Sequence, residues 1–150
     1  MRALAWGDGR AGCAVSVRAP LDAIRRAAAE VARAAGYRLV VLFGSAARGE
    51  GAPSDLDIGI LATGPLDAVD ATNRLIRALG MQEVDVADLG RAEPLLAALV
   101  AREAILLYER PGEFARFASL AVRRFADTRK FRDMEQRQIR DFVARVAERR

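Results

Sequence analysis

Phe43-Gly44-Ser45-Ala46-Ala47-Arg48-Gly49, followed after a short loop by Ser54-Asp55-Leu56-Asp57-Ile58-Gly59-Ile60-Leu61, is the stretch that decides how the rest of the chain is read. The residues before it, Tyr37-Arg38-Leu39-Val40-Val41-Leu42, are β-branched and aromatic and run into Gly44, the pattern of a largely buried strand. Gly49, Gly51 and Pro53 mark a loop, and Asp55–Leu61 opens in period-two alternation as a second strand. Side chains two apart on a strand share a face, which places the Asp55 and Asp57 carboxylates a few ångströms apart. Two such charges repel unless a cation lies between them, and the pair suits a hard metal such as Mg²⁺. At the end of the preceding strand, Gly44 lets backbone N–H groups approach a phosphate and Ser45 adds a hydroxyl donor. Arg48 offers a guanidinium for phosphate oxygens.

Working outward, Pro20 sits in a first helical turn, and Leu21, Ile24, Ala28, Val31 and Ala35 recur at helical spacing until Gly36 stops the helix. Residues 1–19 show no periodicity and read as a loosely structured lead-in, with a short strand at Ala14–Val17. After Gly64-Pro65, Leu66, Val69, Ile76 and Leu79 form the apolar face of a second helix closed by Gly80. Glu83-Val84-Asp85-Val86 alternates as a third strand. Asp85 is the candidate for the third carboxylate that a second Mg²⁺ needs. Glu83, on the same face, is its rival, and Asp88 reads equally as a cap of the following helix. That helix begins near Pro94 with Leu95, Leu96, Leu99 and Val100 and precedes a short apolar segment, Ile105–Tyr108. Beyond Pro111-Gly112, Phe114, Phe117, Ala121 and Phe125 repeat helically, and Phe131, Met134, Phe142 and Val146 continue the stripe past a break near Asp127-Thr128. The expected fold class is α+β, a small mixed sheet covered by helices with a C-terminal helical segment. Residues 20–110 form its core, and 111–150 a helical extension packed on the same domain.

Composition excludes much of the alternative chemistry. The chain has 150 residues, 52% hydrophobic and 29% charged, with a formal charge of +4. This suits one globular domain with a real core. With no histidine there is no Ser-His-Asp relay, no His-paired cysteine and no paired-histidine zinc helix. Cys13 alone makes neither an intramolecular disulfide nor a Cys-rich zinc site, so a reducing cytoplasm is the expected setting. Lys130, the only lysine, follows no glycine-rich loop, which excludes a Walker-type P-loop. Catalysis must rest on carboxylates, arginines, hydroxyls or a hard metal. No apolar run approaches the roughly 20 residues that span a bilayer, and no membrane association is expected. Residues 110–150 carry twelve basic and six acidic side chains, a bias that suits either a solvated helix face or an acidic partner. Direct nucleic-acid binding is not expected, since Trp6, Tyr37 and Tyr108 are not interleaved with basic residues as stacking platforms.

Strand, Gly-Ser, short loop, Asp-x-Asp opening a second strand, then an acidic strand after a helix: in this combination the sequence resembles the polymerase-β-like nucleotidyltransferases. It is most similar to their minimal bacterial branch, the MNT (MntA-type) antitoxins paired with HEPN toxins. The family pattern matches at Gly44, Ser45, Asp55 and Asp57. The similarity extends through Glu83–Leu89 and Leu106–Glu109, roughly residues 37–110. Nine residues, Ala46 through Ser54, separate Ser45 from Asp55, one fewer than is usual in that branch. Both aspartates keep their relative position, so activity is expected to survive the shorter loop.

The resemblance implies a polymerase-β-like nucleotidyltransferase fold in which Asp55, Asp57 and Asp85 bind Mg²⁺, two ions when nucleotide is bound. It also implies that Gly44, Ser45, Arg48 and Ser54 contact the nucleotide, ATP. Transfer of AMP to a tyrosine hydroxyl of a cognate HEPN ribonuclease toxin would silence that toxin. Two alternatives stand beside it: a binding-only antitoxin that masks its partner, and a nucleotidyltransferase acting on a small molecule such as an aminoglycoside, for which the chain offers little room for a separate acceptor domain.

Overall fold

A computed structural model describes residues 18–50 and 55–147; residues 1–17 of the lead-in, with the strand expected at 14–17, and Ser54 lie outside the described residues, while Arg18 and Ala19 already belong to the first helix. Among the described residues ten elements follow one another: α1 (Arg18–Ala35), β1 (Leu39–Phe43), α2 (Gly44–Arg48), β2 (Leu56–Leu61), α3 (Ala68–Leu79), β3 (Val84–Asp88), α4 (Pro94–Glu103), β4 (Ile105–Glu109), α5 (Glu113–Asp127) and α6 (Arg129–Ala147). The strands form one mixed sheet in the order β3-β2-β1-β4. β1 pairs antiparallel with β2 and β4, and β2 pairs parallel with β3. A parallel neighbour needs a crossover rather than a tight turn, and α3 supplies it.

The central strands are apolar on both faces because both faces are covered. On one face Val40, Leu42, Leu56, Ile58, Ile60 and Val84 pack with Ala28 and Ala32 of α1 and Ala71 and Leu75 of α3. On the other, Leu39, Val41 and Leu89 pack with Ala97 and Val100 of α4 and Phe117 and Ala121 of α5. Ile58 and Ile60 are fully buried, each contributing roughly 1.5–3 kcal/mol of transfer free energy. Gly59 lies between them on the opposite face. A Cβ there would stand 2.9 Å from both Leu89 and Val41 side chains, so those side chains close over the strand only because it is glycine.

Several sequence expectations are corrected by this packing. The residues after Phe43 form the one-turn helix α2 rather than passing directly into a loop. α3 buries Ala71 and Leu75 while Val69, about 200° around the helix from Ala71, is exposed. Likewise α4 buries Ala97 and Val100 and leaves Leu95 and Leu99 largely outside. Asp88 ends β3 instead of capping α4: its carboxylate accepts from Gly90 N–H, and Glu93 precedes the helix without a side-chain cap.

The C-terminal helices differ in kind. α5 is tied to the sheet by Glu113, which is buried and accepts from Arg38 at 2.6 Å and Arg116 at 3.0 Å. The break near Thr128 is real, with the Thr128 hydroxyl donating to Phe125 O and Arg132 lying 3.7 Å over the Phe125 ring. In α6 every described side chain except Arg132 is exposed or nearly so. Among the described residues no helix is long and apolar enough to cross a membrane.

Candidate active site

The acidic residues gather at one end of the sheet because of register. β1 runs into Gly44 where antiparallel β2 begins, so Phe43 lies opposite Asp57. Parallel β3 starts at the same level, so Asp57 lies beside Asp85 and Leu56 beside Val84. Leu56 N–H donates to Glu83 O at 3.1 Å, continuing the ladder and setting Asp55 beside Glu83. By strand alternation the four carboxylates share a face, two rows of two.

Electrostatics records the crowding. Asp57 is pushed above the ordinary aspartate value, first by burial and then by the charges of Asp85 and Asp55, against which Arg48 pulls downward. Glu83 is raised above the ordinary glutamate value by its hydrogen bond with Asp55, then by the Asp55 charge, burial and Asp85. Glu83 is therefore the lateral partner of Asp55, and Asp85 the partner of Asp57. Glu83, just before β3, and Asp85, within it, thus occupy different positions beside β2.

Gly44 sits over this strip with φ +71°, a left-handed conformation that favours glycine. A Cβ on Gly44 would fall 2.1 Å from Asp57 Oδ2. No L side chain fits there, so the backbone at Gly44 and the Asp57 carboxylate form one tight cradle. Ser45 follows on α2, and its carbonyl accepts from Glu50 N–H at 3.1 Å, closing the turn through Gly49. Arg48 ends α2. Its Nε and Nη2 donate to the two carboxylate oxygens of Glu50 at 2.8 and 3.1 Å, and Nη1 stands 3.7 Å from Glu103 Oε2. Glu103 in turn takes a close ion pair from Arg102. Glu50 and Glu103 escape a sequence reading because no periodicity links them to the aspartates. Only the chain reversal at Gly49 and the end of α4 bring them to Arg48. Ser54 lies outside the described residues.

The donor set is carboxylate oxygen alone, the kind a hard divalent cation takes, and the Gly44 cradle leaves the Asp57 oxygen uncovered by a side chain. Among the described residues no three acidic, histidine or cysteine side chains stand in a geometry that would hold an ion. Two surface cavities, of about 380 and 240 Å³, lie at the opposite ends of the strands, and neither includes Gly44, Asp55, Asp57 or Asp85.

This architecture has relatives of known structure. One solved toxin–antitoxin structure, with AMP-PNP, matches with a TM-score of 0.63 at 25% identity, covering 80% of this chain and 98% of that one. An MNT antitoxin in complex with a tri-AMPylated HEPN toxin from Shewanella oneidensis matches at 0.59 and 24%, covering 86% and 99%. The MntA–HepT toxin–antitoxin matches at 0.59 and 24%, covering 81% and 97%. No protein of curated function matches the sequence. Residues 30–113 match the family described as Polymerase beta, Nucleotidyltransferase, a span that takes in every strand and the whole acidic strip. The chain therefore belongs to the polymerase β nucleotidyltransferase family, and its fold is that of the MNT antitoxins.

Proposed function

We propose that the protein is an Mg²⁺-dependent adenylyltransferase that moves AMP from ATP to a tyrosine hydroxyl of a partner HEPN ribonuclease toxin, and so acts as its antitoxin in the cytoplasm. The observation that carries this reading is the two-row carboxylate strip with Gly44 laid over Asp57. The similar structures with AMP-PNP and with an AMPylated toxin support it.

Asp55, Asp57 and Asp85 are the residues that would hold Mg²⁺. When bound, the ions supply charge neutralisation at the attacking and departing oxygens of an in-line displacement. The chain's own groups do the rest. Backbone N–H groups at Gly44 and Ser45, with the Ser45 hydroxyl and Ser54, hold the triphosphate, and Arg48 donates to its oxygens. Asp85, the more exposed member of the Asp57–Asp85 row, accepts the proton of the incoming hydroxyl. The tyrosine oxygen bonds to the α-phosphorus as the bond to the bridging oxygen of pyrophosphate breaks.

Incubation with labelled ATP, Mg²⁺ and the product of the adjacent gene tests this. The partner becomes labelled, and Asp55→Asn or Asp57→Asn abolishes labelling without unfolding the domain. Neutralisation that persists in those variants overturns the enzymatic reading. A masking antitoxin is the second reading, favoured by the bare apolar stripe of α6. Label on an antibiotic and on no protein points instead to a small-molecule acceptor.

A further inference from the structure

Resting on the nucleotide-binding reading of this site, we infer that Glu50 and Glu103 act on Arg48 in opposite senses: Glu50 positions its guanidinium for phosphate, and Glu103 competes with phosphate for it. The geometry separates the two carboxylates. Glu50 takes the Nε–Nη2 edge in a two-pronged hydrogen bond of 2.8 and 3.1 Å, the arrangement that fixes an arginine's plane as well as its charge. Glu103 faces the other side, at 3.7 Å from Nη1, beyond hydrogen-bond length, and is shared with Arg102.

An arriving phosphate oxygen therefore meets one edge of Arg48 already committed and one edge loosely screened. The committed edge need not be released. Glu50 is delivered by the reversal at Gly49, whose φ of +70° closes α2 and whose successor N–H bonds back to Ser45 O. Glu50 thus moves with the Gly44–Ser45 turn, and Arg48 stays registered to the same backbone that approaches the phosphate. Glu103 belongs to α4, a different element, and its contact with Nη1 is the one that phosphate displaces.

Net charge alone predicts something else. Removing either carboxylate takes one negative charge from the neighbourhood of a triphosphate, so both neutralisations should tighten nucleotide binding. The inference predicts opposite signs. Binding of AMP-PNP with Mg²⁺ is measured by calorimetry on the full chain. Glu103→Gln tightens binding by roughly two- to fivefold, and Glu50→Gln weakens it by roughly three- to tenfold, because an unanchored arginine must be ordered on binding. In an Arg48→Ala background both effects vanish, which a merely structural role would not produce. Thermal melts of the single variants stay near wild type, since exposed ion pairs contribute little to stability. Tightening by both variants, or effects that survive in Arg48→Ala, overturn the inference while leaving the nucleotide site intact. Absence of AMP-PNP binding by the wild-type protein overturns the nucleotidyltransferase reading, and this inference falls with it.

Discussion

α5 and α6 follow one another along the chain, both carry an apolar stripe at helical spacing, and the fold treats them oppositely. α5 sets Phe117 and Ala121 into the core beneath the sheet, with Phe117 8% exposed. α6 holds Phe131 70% and Phe142 63% exposed, with Met134 and Ile139 also in the open. Periodicity states which side of a helix is apolar, whereas burial depends on what stands opposite. Opposite α5 stand Ala97 and Val100 of α4, with Leu39 and Val41 of the sheet in the same cluster. α6 leaves the sheet altogether at Thr128. The acidic strip has this in common with α6: like charges crowd at one end of the sheet, as apolar side chains stand in the open along the helix. On the function proposed above, a divalent cation would answer the first feature and a partner's surface the second.

The comparison breaks most readily at the two phenylalanines. Phe117→Ala costs about 3 kcal/mol or more of unfolding free energy in urea titration, while Phe131→Ala and Phe142→Ala stay within about 0.5 kcal/mol. Equal losses would mean that α6 is buried in solution. The anchor of α5 comes next. Arg38→Met leaves the buried Glu113 carboxylate with Arg116 alone and costs about 1–3 kcal/mol, whereas Arg137→Met in α6 leaves the unfolding midpoint unchanged. If Arg38→Met is also silent, the 2.6 Å pair does not fasten the helix. For the proposed toxin partner, replacing Phe131, Met134 and Phe142 together by serine leaves AMP-PNP binding intact and weakens binding of that partner about tenfold or more. Replacing Arg137, Arg140 and Arg145 gives a smaller weakening that fades as salt is raised. Full toxin affinity in the serine variant would remove α6 from the interface.

The smallest expected effect concerns protons at the acidic strip. Asp57 binds its proton more tightly in the folded protein than its ordinary value of 3.8 allows. Folding is thus favoured by protonation, and this contribution is fully present below the ordinary value. As pH rises from there through the raised value of the folded state, the contribution is lost. In metal-free protein, Asp57→Asn removes that decline, and Mg²⁺ raises the melting temperature of wild type but not of this variant. Phe131→Ala leaves the pH profile as it was. A wild-type stability that climbs relative to Asp57→Asn over this window would contradict the crowding.

Much of this was legible from the residues. The run Leu39–Phe43 and the alternation from Leu56 announced adjacent buried strands, and the glycines at 36 and 80 closed their helices with positive φ. Asp55 and Asp57 stood out because strand geometry alone puts them on one face. The missing parts are those set by partners distant in sequence. The pairing of Asp57 with Asp85 and of Asp55 with Glu83 depends on the parallel register, which local patterning does not encode. α2 was hidden because Gly44 and Gly49 look like loop residues, although one provides a tight approach to Asp57 and the other ends the helical turn. Glu103 reaches Arg48 only through the placement of α4 on the sheet. Val69, Leu95 and Leu99 misled because helices as short as α3 and α4 bury a narrow arc centred on small residues, Ala71 and Ala97.

The parallel pairing of β2 with β3 also sets the order in which the chain becomes competent during synthesis. A ribosome that has released residues through Leu61 has supplied β1, the Gly44 turn and one carboxylate of each acidic row, Asp55 and Asp57, all of it from neighbouring sequence. Asp85 and Glu83 arrive only after α3 has been translated and has crossed the sheet, because β3 threads beside β2 rather than folding back from it. A chain arrested or clipped within α3 carries both signature aspartates and half of a site. On the proposed reading, in which Asp85 completes the site, transfer activity in a nascent protein would report that the crossover is complete.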